Sequence, residues 1–323
     1  GNAAELRARY VQAAAKSDTD ARWRLLLNTA PAKSADTAGD ESSLRDAVRA
    51  TLAIASQQYQ WRLAHLPDEG KLPRTFVDGK LEMVAPNDWT SGFFPGSLWY
   101  LYEATGDAKW RAAAGRYTAL LEREQTNSRT HDVGFILNCS YGNGYRLTHD
   151  PIYRDVLIRG ARTLSTRFKP EAGVIRSWDH GNWKYPVIID NMMNLELLTW
   201  SAREAREPRL RDVAIQHADN TLKNHFRADA STWHVVDYNP ATGAVARKQT
   251  HQGAADASAW ARGQAWGLYG YTMMYRETRR PEYLAQAEKV ARFLIHHPRL
   301  PEDKIPYWDF DAPDLPNAPR DAS

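Results

Sequence analysis

The stretch Val187-Ile188-Ile189-Asp190-Asn191-Met192-Met193-Asn194-Leu195-Glu196-Leu197-Leu198, running on to Arg206-Glu207-Pro208-Arg209-Leu210, decides the fold. Its first arm, Val187 to Trp200, is apolar nearly throughout. A short breaker then leads into a second arm, Pro208 to Phe226, with charged residues along one face. An acid followed by proline restarts a helix well, because proline suits the first turn and the acid suits the positive helix end. A helix that is apolar all round belongs inside, and an amphipathic one belongs at the solvent. The pair therefore predicts a tight helical hairpin with an inner and an outer arm.

The same unit recurs at Thr105-Gly106-Asp107-Ala108-Lys109-Trp110, at Thr148-His149-Asp150-Pro151-Ile152-Tyr153 and at Arg279-Arg280-Pro281-Glu282-Tyr283. The inner arms are Phe93 to Tyr102, Val133 to Tyr145 and Trp260 to Tyr275. The outer arms are Asp107 to Gln125, Pro151 to Phe168 and Pro281 to His296. Segments Ala3 to Leu27 and Ser43 to Leu66 add a further pair. Such a repeat predicts an all-α protein made of two concentric layers of helices. The junctions follow one another at 43, 57 and 73 residues, too irregularly for a solenoid of uniform repeats. The extra length falls in the connections from each outer helix to the next inner one, so one end of the molecule is trimmed and the other carries loops.

Composition narrows the function classes. The chain has 323 residues, 42 Lys and Arg against 39 Asp and Glu, and one cysteine. At about 150 residues per domain that length suggests two domains, but closed helical barrels often exceed it as one unit, and the chain is read as a single barrel domain over 1–323. Cys139 alone makes neither an intrachain disulfide nor a cysteine-rich zinc site. The net charge of +3 comes without a basic run of the kind that nucleic acid or a membrane surface attracts. No stretch reaches the roughly 20 apolar residues of a membrane span. The N-terminus lacks an initiator Met and a signal-peptide pattern, as expected of a processed or tagged mature chain. Twelve tryptophans fit either a large core or a cleft of stacking platforms.

The loop-bearing end comprises Pro67 to Ser91, Thr126 to Thr130, Lys169 to Pro186, Arg227 to Ser258 and Pro298 to Ser323. Within the fourth, Trp233 to Gly243 alternates and ends in a turn, predicting a small β-hairpin over one mouth of the barrel. Two acids open apolar inner helices there: Asp190, with Asn194 one turn on, and Asp132, preceded by His131. Each reads either as a helix N-cap or as a carboxyl group whose pKa an apolar setting shifts. Two acids facing one mouth are what glycosidic bond chemistry needs. Arg262 and Trp266 share a face at i and i+4, near Gln252, and an inward Arg requires an anion from either protein or substrate. Trp89, Trp178 and Trp183 are loop aromatics suited to stacking on a sugar. His131, His180, His234 and His251 lack metal-ligand spacing, and no nucleotide-binding or nucleophile-elbow motif is present, so neither metal nor cofactor is expected.

In order and identity these residues resemble the unsaturated glucuronyl hydrolases of glycoside hydrolase family 88. The resemblance runs from Trp61 to Ser323 through Asn87-Asp88-Trp89-Thr90-Ser91-Gly92-Phe93, His131-Asp132-Val133-Gly134-Phe135, Ile189-Asp190-Asn191-Met192-Met193-Asn194 and Trp260-Ala261-Arg262-Gly263-Gln264-Ala265-Trp266-Gly267. It implies an (α/α)6 barrel whose last hairpin is missing from this chain, which is then truncated at its C-terminus. It implies Asp190 as the acid/base, Asp132 as its partner, and His131, Trp89, His234, Gln252, Arg262 and Trp266 as substrate-binding residues. The implied substrate is an oligosaccharide left by a polysaccharide lyase, with a 4,5-unsaturated uronate at its non-reducing end. The implied reaction is hydration of that vinyl ether. Family habit implies a periplasmic location. An unsaturated rhamnogalacturonyl hydrolase acting on pectin fragments and a non-catalytic barrel that binds acidic glycans are the alternatives.

Overall fold

The structure is a computed structural model that describes residues 38–67, 70–77 and 79–320. It divides into two compact units, residues 1–68 and 69–323. In the first, the described part is one helix, α1 (Ala38–His65), where the sequence predicts Ser43 to Leu66. The helix expected over Ala3 to Leu27 lies outside the described residues.

The second unit holds the four predicted hairpins. They are α2 (Phe93–Thr105) with α3 (Ala108–Ala119), the segment α4 (Val133–Leu137) and α5 (Asn143–Thr148) with α6 (Pro151–Ser165), α7 (Asn191–Ala205) with α8 (Pro208–Asn224), and α9 (Ala261–Thr278) with α10 (Pro281–His296). Successive inner arms pack side by side, with α4 against α7 and α7 against α9, while the outer arms back them. The core lies between the layers, where Leu137, Leu157, Leu195, Leu198, Tyr271 and Tyr283 are completely enclosed.

The hairpin turns share one device. Each inner arm ends on a residue in the left-handed region: Gly106 (φ 70°), His149 (φ 56°), Arg206 (φ 56°) and Arg279 (φ 63°). Its amide donates back into the last turn, as from Gly106 to Tyr102 O, His149 to Tyr145 O and Arg279 to Tyr275 O, each at 2.8 Å. Only one of the four is the glycine that this conformation favours. The outer arms then start on an aspartate cap, Asp107 bonding Lys109 N and Asp150 bonding Ile152 N, both at 2.9 Å, or on Pro208 and Pro281. A cap of this kind stabilises a helix by about 1 kcal/mol.

Three predicted elements are corrected. Val187 does not begin a helix: Pro186–Ile188 is strand β5, and the helix starts at Asn191. The inner arm predicted from Val133 to Tyr145 is interrupted by a π-turn over Asn138–Gly142. The loop from Pro67 contains an antiparallel pair, β1 (Leu72–Val77) and β2 (Lys80–Val84). A two-stranded ribbon β3 (Phe168–Lys169) and β4 (Val174–Ile175) follows α6. The hairpin predicted near Trp233 is present as β6 (Val235–Tyr238) and β7 (Val245–Gln249), with β5 as a third strand in the order β5-β6-β7.

Candidate active site

Strand β5 ends where α7 begins, and this places Asp190. Ile188 N donates to Ser177 Oγ at 3.0 Å and Ile189 N to the His234 carbonyl at 3.1 Å, so the residues before Asp190 are held from both sides. Ser177, fully enclosed, also donates its amide to Pro186 O at 2.8 Å and accepts from His131 N at 3.1 Å. One serine thus ties together the segments that bear His131, Asp190 and, through Ile189, His234. Nothing in the pattern around Ser177 distinguishes it from an ordinary loop serine, and sequence reading missed it.

The inner helices themselves touch at Gly134. A Cβ there would lie 2.4 Å from Asn194 Oδ1 and 2.5 Å from Asn194 Cα, so only glycine lets α4 and α7 approach this closely. The contact brings Asp132, just before α4, to the same level as Asp190, just before α7. Gly92 acts similarly for the Trp89 loop, since a Cβ would fall 2.3 Å from the Ile136 carbonyl oxygen. That loop lies against the backbone of α4, and the Trp89 ring meets Phe135 at 5.6 Å.

Neither acid caps its helix through its side chain. Asp132 accepts the Thr130 hydroxyl at 2.6 Å through Oδ2, and its Oδ1 lies 3.1 Å from His131 Nε2. Asp190 is buried and its Oδ2 has no hydrogen-bond partner; His234 Nε2 lies 3.8 Å away. The environments push the two apart. Burial raises Asp190 to about 7, against the lowering effects of His131, its own backbone amide and Arg262, with Asp132 adding a smaller upward push. For Asp132, burial also acts upward, but His131, through its charge when the ring is protonated and through its hydrogen bond, the Thr130 hydroxyl and Arg167 outweigh it and hold the carboxyl below its ordinary value. Desolvation, rather than repulsion between the two acids, is what keeps the proton on Asp190.

The other predicted residues surround this pair. His234 is enclosed, with its ring 4.5 Å from Trp260. Its Nδ1 accepts the backbone amides of His251 (3.1 Å) and Gln252 (3.2 Å), so its proton sits on Nε2, facing Asp190. Burial lowers His234 to about 3, and Arg262, like His251 and His131 whenever they are protonated, pushes it the same way. Arg262 lies over Trp260 at 4.7 Å and over Trp89 at 5.4 Å. Trp266 meets Phe135 at 5.3 Å. Trp178 packs against Trp183 at 5.3 Å, His251 at 5.4 Å and His180 at 5.4 Å. Gln252 is the exception: it joins the site by its backbone amide, while its side chain stands exposed on the rim. Four buried polar atoms here have no partner, namely Asp190 Oδ2, His234 Nε2, Trp178 Nε1 and Trp266 Nε1. Among the described residues no group of His, Cys, Asp or Glu is arranged to hold a metal ion, and no helix is long and apolar enough to cross a membrane.

Residues 71–299 match the Glycosyl Hydrolase Family 88 family. The chain belongs to that family. Family 88 relatives share the helical-barrel fold, and the layered hairpins here are those of its (α/α)6 barrel. The chain is 50% identical over 245 residues to an unsaturated glucuronyl hydrolase of Formosa agariphila, covering 74% of this chain and 61% of that protein. It is 36% identical over 246 residues to one of Bacillus sp. (strain GL1), covering 73% and 64%. It therefore spans less than two thirds of the length of either. A crystal structure of an unsaturated glucuronyl hydrolase specific for heparin superposes with a TM-score of 0.78 at 50% identity, covering 80% of this chain and 70% of that one.

Proposed function

We propose that this chain carries the catalytic site of an unsaturated glucuronyl hydrolase, which removes the 4,5-unsaturated uronate from the non-reducing end of lyase-generated glycosaminoglycan or related polyuronate fragments. The observation that carries the reading is the different surroundings of two acids at the starts of neighbouring inner helices: Asp190 is buried with an unpartnered Oδ2, which pushes its carboxyl up to about 7, while Asp132 accepts the Thr130 hydroxyl and lies beside His131, which hold it below its ordinary value. The same pattern separates acid from partner in other carboxylate-pair enzymes. The names of the Formosa and Bacillus relatives support the substrate class.

Asp190, protonated, gives its proton to C4 of the unsaturated sugar, and positive charge develops at C5 and the ring oxygen. The resulting Asp190 carboxylate takes a proton from water as the water oxygen bonds to C5. The hemiketal then opens, expelling the neighbouring sugar and leaving an open-chain keto acid. A pKa near 7 suits both the donation and the recovery of the proton. Ionised Asp132 accepts hydrogen bonds from sugar hydroxyls. The His234 Nε2–H and Asp190 Oδ2, 3.8 Å apart, are buried without a hydrogen-bond partner. The Arg262 guanidinium and the N-terminal ends of α7 and α9 attract the uronate carboxylate. Trp89, Trp178 and Trp266 supply stacking surfaces, and the Nε1–H groups of the last two meet hydroxyls.

The test is loss of the ultraviolet absorbance of the conjugated enol ether on unsaturated disaccharides from heparin, chondroitin, hyaluronan, ulvan and pectin. Turnover is expected on at least one glucuronate-type substrate, with a drop of about 10²–10⁴-fold in Asp190→Asn. Binding without turnover of any of them by the native protein would instead make this a glycan-binding barrel and refute the enzymatic reading.

A further inference from the structure

Asn194 is completely enclosed, in the second turn of an inner helix where an apolar residue would pack as well. Its amide has only one workable orientation. Oδ1 accepts the backbone amide of Phe135, across the helix contact, at 2.9 Å. The Nδ2 end therefore faces the other way, lying 3.4 Å from His131 Nδ1 and 3.5 Å from Asn191 Oδ1. Asn191 is fixed in turn, because its Nδ2 donates to the Ile175 carbonyl at 2.8 Å.

An amide nitrogen can donate but not accept. Facing it, His131 Nδ1 has to be the acceptor, so the ring proton lies on Nε2, the nitrogen 3.1 Å from Asp132 Oδ1. A doubly protonated ring would set two donors against each other in a buried place. Turning the amide over would only move that clash to Phe135 N, and an unmade buried hydrogen bond costs about 1–3 kcal/mol. We propose that Asn194 is a positioning residue that holds His131 in its neutral, Nε2-protonated form, so that the ring gives Asp132 a hydrogen bond and brings no positive charge beside Asp190.

The consequence falls on the acid. The ionisable groups that sense His131 are Asp132 on its own segment, Asp190 at the start of α7, His217 on α8 and His234 ahead of β6. For Asp190, positive charge on His131 is the strongest influence opposing burial. Keeping that charge away leaves the proton where the reaction needs it. Asn191 and Asn194 thus form a chain of hydrogen bonds that runs from Asn194 one way to the Ile175 carbonyl and the other way through His131 to Asp132.

The kinetic half of this inference rests on the proposed hydrolase reading; the spectroscopic half does not. Long-range proton–nitrogen spectra of histidine-labelled native protein at pH 7, assigned with His131→Gln, are expected to give His131 an unprotonated Nδ1 and a protonated Nε2. Asn194→Asp keeps an oxygen for Phe135 N but turns an acceptor toward His131. In that variant Nδ1 is expected to become protonated, and kcat to fall about tenfold or more with KM changed far less. A protonated Nδ1 in the native protein, or an Asn194→Asp variant with unaltered nitrogen signals, would overturn the proposal. Should the native protein turn over no substrate, the nitrogen spectra would still decide it.

Discussion

Replacing Gly134 by alanine tests the geometry that makes the site possible. The added Cβ meets Asn194 Oδ1, Cα and Cβ at 2.4, 2.5 and 2.7 Å. Two of those atoms are held by backbone and cannot swing aside, so α4 and α7 have to separate by about 1 Å to reach ordinary contact distance. Overpacking of this kind costs about 1–3 kcal/mol, and loss of the Phe135–Asn194 hydrogen bond adds about 1 kcal/mol. The total, about 2–4 kcal/mol, corresponds to a fall in Tm on the order of 5–15 °C. Gly115, on the outer helix α3, is the control. A Cβ there meets only the Tyr153 hydroxyl at 3.6 Å, and alanine in a helix interior is favoured over glycine by up to about 1 kcal/mol. Circular dichroism melts should therefore move in opposite directions for Gly134→Ala and Gly115→Ala. Equal, small shifts in both would show that the inner helices are not in the close contact described.

With Asp190 as the proposed acid, turnover should decline as pH rises through about 7, and this limb should be absent from the residual activity of Asp190→Asn. A pH profile flat from 6 to 8.5 would remove Asp190 from that role. Stability should behave differently. Burial holds His217 and His234 at about 3 and His225 well below its ordinary value, against about 6.5 in the unfolded chain. Their stabilising contribution is complete above pH ~6.5 and is lost as pH falls below it. Asp190, raised in the folded state, binds one proton in the opposite sense. Three protons gained on unfolding less one retained give a slope of about 2–3 kcal/mol per pH unit near pH 5. Melts from pH 7.5 to 4.5 should show that collapse, and His217→Gln, which leaves two protons gained less one retained, should make it shallower by about half; an unchanged slope would count against it.

Much of this architecture was written in local pattern. The apolar and charged arms alternate because each layer has a different solvent, and the breakers between them are readable as turns. Asp107 and Asp150 do what acids at helix starts usually do. Asp132 and Asp190 occupy similar positions but bond differently, and the pattern around them could not say so, since a cap and an acid look alike until the neighbours are placed. The αL residues His149, Arg206 and Arg279 were equally hidden, because their conformation is imposed by the hairpin and not preferred by the side chain. The tryptophans divide on the same principle. Trp99 and Trp110 are enclosed in packing, whereas Trp178 and Trp266 keep buried indole N–H groups without partners at the mouth.

The sequence by itself determined the layered helical hairpins, the loop-bearing end and the identity of the residues that gather there. Periodicity and turn chemistry are short-range properties, legible over a few residues. The tertiary structure decided what those residues are: that Ser177 ties three segments together, that Gly134 lets Asn194 reach His131, and that burial sets Asp190 apart from Asp132. Hydrogen-bond partners and desolvation depend on atoms brought together from 59 residues away, as Phe135 and Asn194 are, and no local pattern encodes them.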